Sequence, residues 1–172
     1  MRDIIRAFTG SIASFVSAKE MAIEIQSITP PMIGDLTDDF HGGGMPAAVS
    51  VPLGTTLSDA SFSLATWNRN VIRRVGIPIG QTDTITFRGA AVSDVTGDTK
   101  TIEIVLTGRL SEPDAAQWER GSISGVGYTV GSIIYYKLMH GDELIHEVDI
   151  LNMKKIVDGV DVNAPINSAL GF

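Results

Sequence analysis

Cysteine is absent from the 172 residues. Its absence removes disulfides, thiol nucleophiles and thiolate metal sites, along with any hint of an oxidising compartment. Basic charge is also scarce. Thirteen Lys and Arg against twenty Asp and Glu leave a formal net charge of −7. Electrostatic grip on nucleic acid needs a basic surface, so a DNA- or RNA-binding protein of that kind is excluded. No apolar run approaches the roughly 18 residues of a membrane helix. Arg2 and Arg6 followed by Ala7 to Ala18 imitate a signal peptide, but Ser, Thr and Gly interrupt the apolar part too often for an h-region. The expectation is a protein made in the cytoplasm, with no stable membrane association.

What is present is a globular composition, 44 % hydrophobic and 19 % charged. A chain of this length suits one domain, 1–172, with a real core. Eighteen glycines and seven prolines favour a fold with many turns, all-β or α+β. The dominant stretch runs from Ser122 to Asp161. Val126, Tyr128, Val130, Ile134, Tyr136 and Leu138 share one parity, with Ser132 the only polar break, which is the period of a strand with one buried face. His140-Gly141-Asp142 reads as a tight turn. A return strand spans Leu144 to Leu151, with Glu147 and Asp149 opposite Leu144, Val148 and Ile150. A second turn falls at Asp158-Gly159. This ribbon is longer than a small core requires.

Elsewhere the pattern is mixed. Ile4, Phe8, Ile12 and Phe15 recur at helical spacing, weakened by Gly10 and several serines. Met21 to Ile28 reads as a strand ended by Thr29-Pro30-Pro31. Met32 to Met45 reads as a polar loop carrying Asp35, Asp38, Asp39 and Gly42-Gly43-Gly44, long enough to suggest a function. Two strands, Ala47 to Leu53 and Leu57 to Leu64, flank Gly54-Thr55-Thr56. One helix is expected, over 66–75. Thr66 caps it, Gly76 and Pro78 end it, Trp67, Val71, Ile72 and Val75 face inward, and Arg69 and Arg73 face outward. Thr84 to Ser93 and Thr99 to Leu110 form a hairpin around Thr96-Gly97-Asp98, with Ile102, Ile104, Leu106 and Leu110 on its buried face. Leu110 to Gly121 is a charged loop with Trp118, and Val162 to Phe172 forms at most one helical turn. The result is a β-rich domain with one helix.

Four patterns tempt a chemical reading, and each has a plainer one. His41-Gly42-Gly43-Gly44 copies an esterase oxyanion motif, but the chain has no Gly-x-Ser-x-Gly elbow to go with it. Gly125, Gly127 and Gly131 imitate a nucleotide fingerprint, yet a strand follows where a helix N-terminus is needed. Glycines inside a strand mark a bend, a bulge or close approach of another backbone. His140 and His146 with Asp142, Glu143 and Asp149 offer ligand types suited to zinc or manganese. On a strand, however, His146 and Asp149 have opposite parity. Asp38 and Asp39 could serve a hydrolase, but nothing marks a perturbing environment for them. No catalytic, cofactor or metal residue is assigned.

A different set of residues is more specific in its order. Gly43-Gly44-Met45, Gly108-Arg109 and Trp118 are followed by Tyr135-Tyr136-Lys137-Leu138, Gly141, Glu143-Leu144, Glu147 and Asp149. Asn152, Val157, Asp158-Gly159-Val160-Asp161 and Leu170-Gly171 complete the set. In this order the chain resembles the major tail tube proteins of contractile-tailed phages, a family that includes those of P2-like phages and R-type pyocins. The resemblance is dense over 130–172, thinner over 40–130 and weak before residue 40. It lays Phe15 to Thr29 on the family's N-terminal hairpin. Departures fall at Ser17-Ala18, Thr29-Pro30-Pro31 and His140.

The resemblance implies a mainly β fold, a small β-barrel or two-sheet sandwich with one flanking helix. It also implies a structural role without enzymatic activity or cofactor. Six copies would form a ring, and stacked rings a hollow tube that is driven through a target envelope and conducts DNA in a phage. The implied partners are the chain itself, the tail sheath protein, the tape measure protein, the baseplate or tube initiator and the tail terminator. DNA would pass without specific binding. The implied location is the virion tail, after assembly in the host bacterial cytoplasm. Residues 32–46 would be an inter-ring loop, with Asp38, Asp39, Gly42, Gly43, Gly44 and Met45 as contact candidates. Gly125, Gly127, Gly131, Tyr135 and Lys137 would belong to a ribbon shared between subunits. Acidic charge on the channel wall would let DNA slide. The alternatives are a tube-like protein of the type VI secretion system and a monomeric ligand-binding β-barrel.

Overall fold

The structure is a computed structural model and describes residues 3–171. Met1, Arg2 and Phe172, which enter the readings of the N-terminus and the tail, lie outside the described residues. The framework is an antiparallel meander of β6 (Asp83–Ser93), β7 (Thr99–Ala115) and β8 (Val126–His140). Its alternation is the one legible in sequence. Ile85, Phe87, Ile104, Leu106, Leu110, Val126, Tyr128, Val130 and Tyr136 are all buried. Gly97, at φ 75°, makes the first turn, and Gly141, at φ 61°, makes the one after β8. β7 runs on to Ala115, so the expected charged loop begins five residues later than Leu110.

β8 changes partner along its length. Val126 to Val130 pair with β5 (Ala60–Leu64), and Tyr135 to His140 pair with β9 (Glu143–Asp149). Between these halves Ser132 takes φ 50°, and two extra residues of β8 slip into the register against β7. That bulge turns Ile133, on the supposedly outer parity, into the core. It also explains Gly108 on the facing strand, where a Cβ would meet the Gly131 carbonyl oxygen at 2.8 Å. β5 in turn pairs with β2 (Ile25–Thr29), and this branch folds back over the meander. Phe62 of β5 lies 5.8 Å from Phe87 of β6 and stacks at 5.2 Å on Tyr128 of β8. Each of these rings removes enough apolar surface to contribute roughly 1.5–3 kcal/mol. The sheet therefore closes on itself as two layers around one core, and the expected mainly β class holds. The far side continues from β9 through β10 (Lys154–Val157) to β11 (Val160–Asp161).

Several local expectations are corrected. Ile4, Phe8 and Ile12 belong to a strand, β1 (Asp3–Ile12), paired with β6. A spacing of four preserves strand parity as well as helical face, so the pattern did not discriminate. The strand expected over Met21 to Ile28 begins as a helix, α1 (Ala18–Glu24), in which the Ser17 hydroxyl accepts from the Glu20 amide at 3.2 Å. Lys19, Glu20, Met21, Ala22 and Glu24 are good helix formers, and Met21 is fully buried. Residues 15–29 are thus a turn, a helix and β2 rather than a hairpin of their own. The loop expected over 32–46 is mostly β3 (Ile33–Phe40), paired with β4 (Val49–Leu57) in a separate two-stranded sheet. Gly54-Thr55-Thr56 lies inside β4 rather than between strands. Both faces of this ribbon are exposed, so no buried period revealed it.

The helix expected over 66–75 shrinks to α2 (Arg69–Ile72). Its cap is Asn68, whose side chain accepts from the amides of Asn70 and Val71. Val71 is buried as expected, while Trp67 and Ile72 are exposed. Trp67 instead meets Trp118 edge to face at 5.4 Å. The tail is longer in helix than expected, α3 (Ala164–Leu170), ended by Gly171 at φ 87°. Three short helices therefore flank the sheets among the described residues.

Candidate functional site

The two groups of residues singled out from sequence lie in very different surroundings. Asp38 and Asp39 sit near the far end of β3, opposite Val51 and Ser50 of β4. The Ser50 hydroxyl donates to Asp39, and the Asp39 amide donates to Asp38 at 2.9 Å. In the connecting turn the Met45 amide donates to the Gly42 carbonyl at 3.0 Å, and the Gly42 amide lies 3.2 Å from the Met45 sulfur. A Cβ added to Gly43 or Gly44 would meet nothing within 4 Å, and neither residue is among the glycines with positive φ. Nothing inside the chain requires glycine at either position.

The same ribbon carries a feature the sequence reading missed. Leu36, Phe40, Val49, Val51 and Leu53 are all exposed, Phe40 at 61 % and Leu53 at 65 %. Phe40 is registered with Val49, and Asp38 with Val51, so Phe40, Val49 and Val51 share one face with Asp38. The available signal was apolar residues interleaved with aspartates at even spacing. It was obscured because charged residues flank them on both parities. The base of the ribbon is tied down. The Ser58 hydroxyl accepts from the Met32 amide at 2.8 Å, and the Lys155 ammonium donates to Thr55 at 2.7 Å.

The second group lies along β8. Gly125 just precedes the strand, where a Cβ would collide with the Leu64 carbonyl oxygen of β5. Gly127 opposes Ser63 and Asp114, and Gly131 lies in the bulge opposite Arg109. Of the three, only Gly125 answers to a close approach within the chain; a Cβ on Gly127 or Gly131 would meet its nearest neighbour at 3.7 and 3.5 Å, ordinary contact. Tyr135 and Lys137 project from the outer face of the sheet, in register with Asp149 and Glu147. The Tyr135 hydroxyl donates to Glu147 at 3.3 Å, and burial, reinforced by the Glu147 and Asp149 charges, pushes its phenol up. This face mixes signs. Arg88 pairs with Glu103 at 2.6 Å, and Glu147 lies 3.8 Å from Lys154. β8 has strand neighbours on both sides over most of its length. The free edges among the described strands belong to β1, β2, β3, β4 and β11. The structure thus brings each group together within itself but does not join the two.

Two polar networks hold the scaffold. Arg74 donates to both carboxylate oxygens of Asp83, which is 2 % exposed, and its guanidinium lies 4.1 Å from the Phe15 ring centre. Asn68 bridges α2 to Glu20 and Glu24 of α1 at 3.1 and 2.8 Å. No group of three or more His, Cys, Asp or Glu side chains could hold a metal ion among the described residues. His140 meets Asp3 at 3.4 Å, and His146 is paired across from Val157 on β10.

The singled-out residues lie at the tip of an exposed ribbon and along one strand of an antiparallel β framework. The sequence profile for phage tail tube protein FII matches residues 10–171. The tail tube protein of Escherichia phage P2 is 30 % identical over 139 residues, spanning 79 % of this chain and 80 % of that protein. The major tail tube protein of Serratia phage KSP20 is 31 % identical over 151 residues, spanning 87 % and 86 %. In fold, the chain is similar to a component of the anti-feeding prophage baseplate solved by cryo-electron microscopy. The TM-score is 0.53 at 10 % identity, covering 81 % of this chain and 96 % of that one. The chain belongs to the phage tail tube protein FII family, and its role is that of a structural tail tube protein. Membership decides for the tail tube reading over a monomeric ligand-binding barrel.

Proposed function

We propose that this chain is the repeating subunit of the inner tube of a contractile tail, assembling with itself into rings of six that stack into a hollow cylinder. It acts as a mechanical conduit and not as an enzyme. Its partners are further copies of itself, the sheath around the tube, the tape measure protein within it, and the initiator and terminator at its ends. In a phage the cylinder passes DNA without specific binding. Assembly takes place in the host cytoplasm, and the product resides in the virion tail.

The observation that carries this reading is the β3–β4 ribbon. An isolated two-stranded hairpin is marginal in water at best. This one exposes an apolar face and ends in glycines that nothing within the chain explains. Such a ribbon is completed by contact with a neighbour. Free edges on β1, β2 and β11 support the same conclusion, since unpaired edges in a soluble monomer invite pairing. The ribbon tip, with Asp38 and Asp39 at the end of β3 and Gly42 to Met45 in the turn, is the contact between rings. Tyr135 and Lys137, on the outer sheet face, contribute side chains rather than a backbone edge to the subunit boundary.

Negative-stain microscopy of the purified chain tests the proposal. Hollow rings or tubes are expected, with sixfold symmetry in end views. A compact monomer at every concentration overturns it.

A further inference from the structure

Strand order separates β1 from β8 by the two strands β6 and β7. In a flat sheet, strands three places apart lie roughly 14 Å from one another at the usual spacing. Yet the His140 imidazole Nε2, at the end of β8, lies 3.4 Å from a carboxylate oxygen of Asp3, at the start of β1. Curling of the sheet brings the two together. His140 is in register with Ile102 of β7, and Asp3 stands two residues before Ile5. Ile5 and Ile102 line the same apolar cleft on the concave side of the sheet. Register partners and residues two apart share a face, so the contact spans the mouth of that concavity.

What it ties down is a short, separable piece of chain. The pairing of β1 with β6 slips between Ile5 and Ala7, leaving Arg6 as an extra residue. Ahead of the slip, Asp3, Ile4 and Ile5 pair with Ser93, Val92 and Ala91. Among the described residues no strand covers the other side of β1. Ile4 and Ile5 are 39 % and 54 % exposed, so little burial holds this end. Its ionic ties are Asp3 with His140 and, at the slip, Arg6 with Asp94 at 3.5 Å.

We propose that Asp3 and His140 form a pH-sensitive clasp. With His140 protonated, the ion pair holds the first residues of β1 across the mouth of the sheet. With it neutral, Asp3 to Ile5 open about the bulge at Arg6 and bare the Ala91–Ser93 edge of β6. The inference concerns the single chain and stands apart from the tube reading.

Imidazole is the side chain whose ordinary titration falls between about pH 5 and 8, so the clasp works in that window. The other charges around it are Asp142 and Glu143 in the following turn and strand, and Lys100 and Glu103 flanking Ile102 on β7. Arg88 of β6 engages Glu103 at 2.6 Å, and Arg6 faces Asp94. Carboxylates, lysine and arginine ordinarily keep their charge through this window, which leaves the imidazole as the group that switches. The sign follows. The ion pair is complete in mild acid, while Asp3 is still ionised, and is lost as pH rises through the imidazole range. The two side chains are 30 % and 21 % exposed, so solvent screens the pair and the clasp biases an opening equilibrium rather than locking it.

Hydrogen exchange resolved at residues 4 and 5 of the dilute full chain tests the clasp, with each rate referred to the intrinsic rate at the same pH. Protection in the parent is expected to fall about two- to fivefold between about pH 5.5 and about pH 7.5. His140→Gln keeps a neutral donor beside Asp3, and Asp3→Asn removes the charge that the imidazole meets. Both substitutions are expected to flatten the profile. Amides of β7 should stay protected at both pH values in the parent and in both variants, showing that each remains folded. His41 and His146 are the other imidazoles of the chain, and a pH dependence caused by them would survive His140→Gln. A flat profile in the parent overturns the clasp, as does a pH dependence that survives either substitution. Neither result touches the tube reading.

Discussion

The chain has two clusters of glycine, and the difference between them separates what folding requires from what assembly requires. Beside β8, Gly125 and Gly108 have reasons inside the molecule. Gly125 stands against the Leu64 carbonyl, and the Gly131 carbonyl leaves no room for a Cβ on Gly108. At the tip of the β3–β4 ribbon, Gly43 and Gly44 have open space around them and no positive φ. The surroundings differ in the same way. β8 contributes Val126, Tyr128, Val130 and Tyr136 to the core, while β3 contributes no buried residue. A residue demanded by its own chain is a packing feature. A residue that its chain does not demand points to something outside it.

The largest expected effect exploits this contrast. Ile104, 8 % exposed, faces Phe87 across the β6–β7 pairing. Ile104→Asp buries an unpaired charge and is expected to cost more than about 4 kcal/mol, abolishing the folded state. Leu36→Asp, on the ribbon, is expected to change stability by no more than about 0.5 kcal/mol. Urea titration of both variants checks the pair, and equal losses would erase the distinction. Gly125→Val comes next. Its branched side chain must displace backbone of β5, an overpacking cost of about 1–3 kcal/mol, read as a lowered midpoint in the same titration.

Gly43→Val sharpens the comparison from the other side. Monomer stability is expected to stay within about 0.5 kcal/mol, while tube length and yield fall under the microscope. Unchanged tubes would show that the tip touches no neighbour. The smallest effect concerns the turn after β9. The Asn152 side chain and amide donate to Asp149 at 2.7 and 3.0 Å, and these bonds hold its carboxyl below the ordinary carboxylate range. Because the folded state depresses this pKa, its stabilisation is complete above the usual carboxylate pKa. It is lost as pH falls through the lowered value. Asp149→Asn is therefore expected to be slightly less stable than the parent at pH 7, and the two should converge in acid. A gap that persists in acid would assign the effect to something other than this ionisation.

How much was legible in the sequence follows the same division. The β6–β7 hairpin and the β8 turn at Gly141 were readable because burial on one face imposes a period of two. The ribbon β3–β4 was read as a loop because both of its faces are exposed, so burial left no period to detect. Residues 4–12 were ambiguous because a spacing of four satisfies either element. α1 was missed because Met21, Ile23 and Ile25 alternate locally, although only Met21 is buried. The residues of the proposed contacts were found in part. Asp38, Asp39 and Gly42 to Met45 do lie together at one tip, but the apolar face beside them went unnoticed.

The central claim is that the β3–β4 ribbon is finished only by a neighbouring copy. Hydrogen exchange measured on the dilute chain and on assembled particles tests it most directly. Amides of residues 33–57 are expected to exchange rapidly in the dilute chain and to gain at least a hundredfold protection on assembly. Those of β6 and β7 should be protected in both states. Equal exchange of the ribbon before and after assembly would contradict the account.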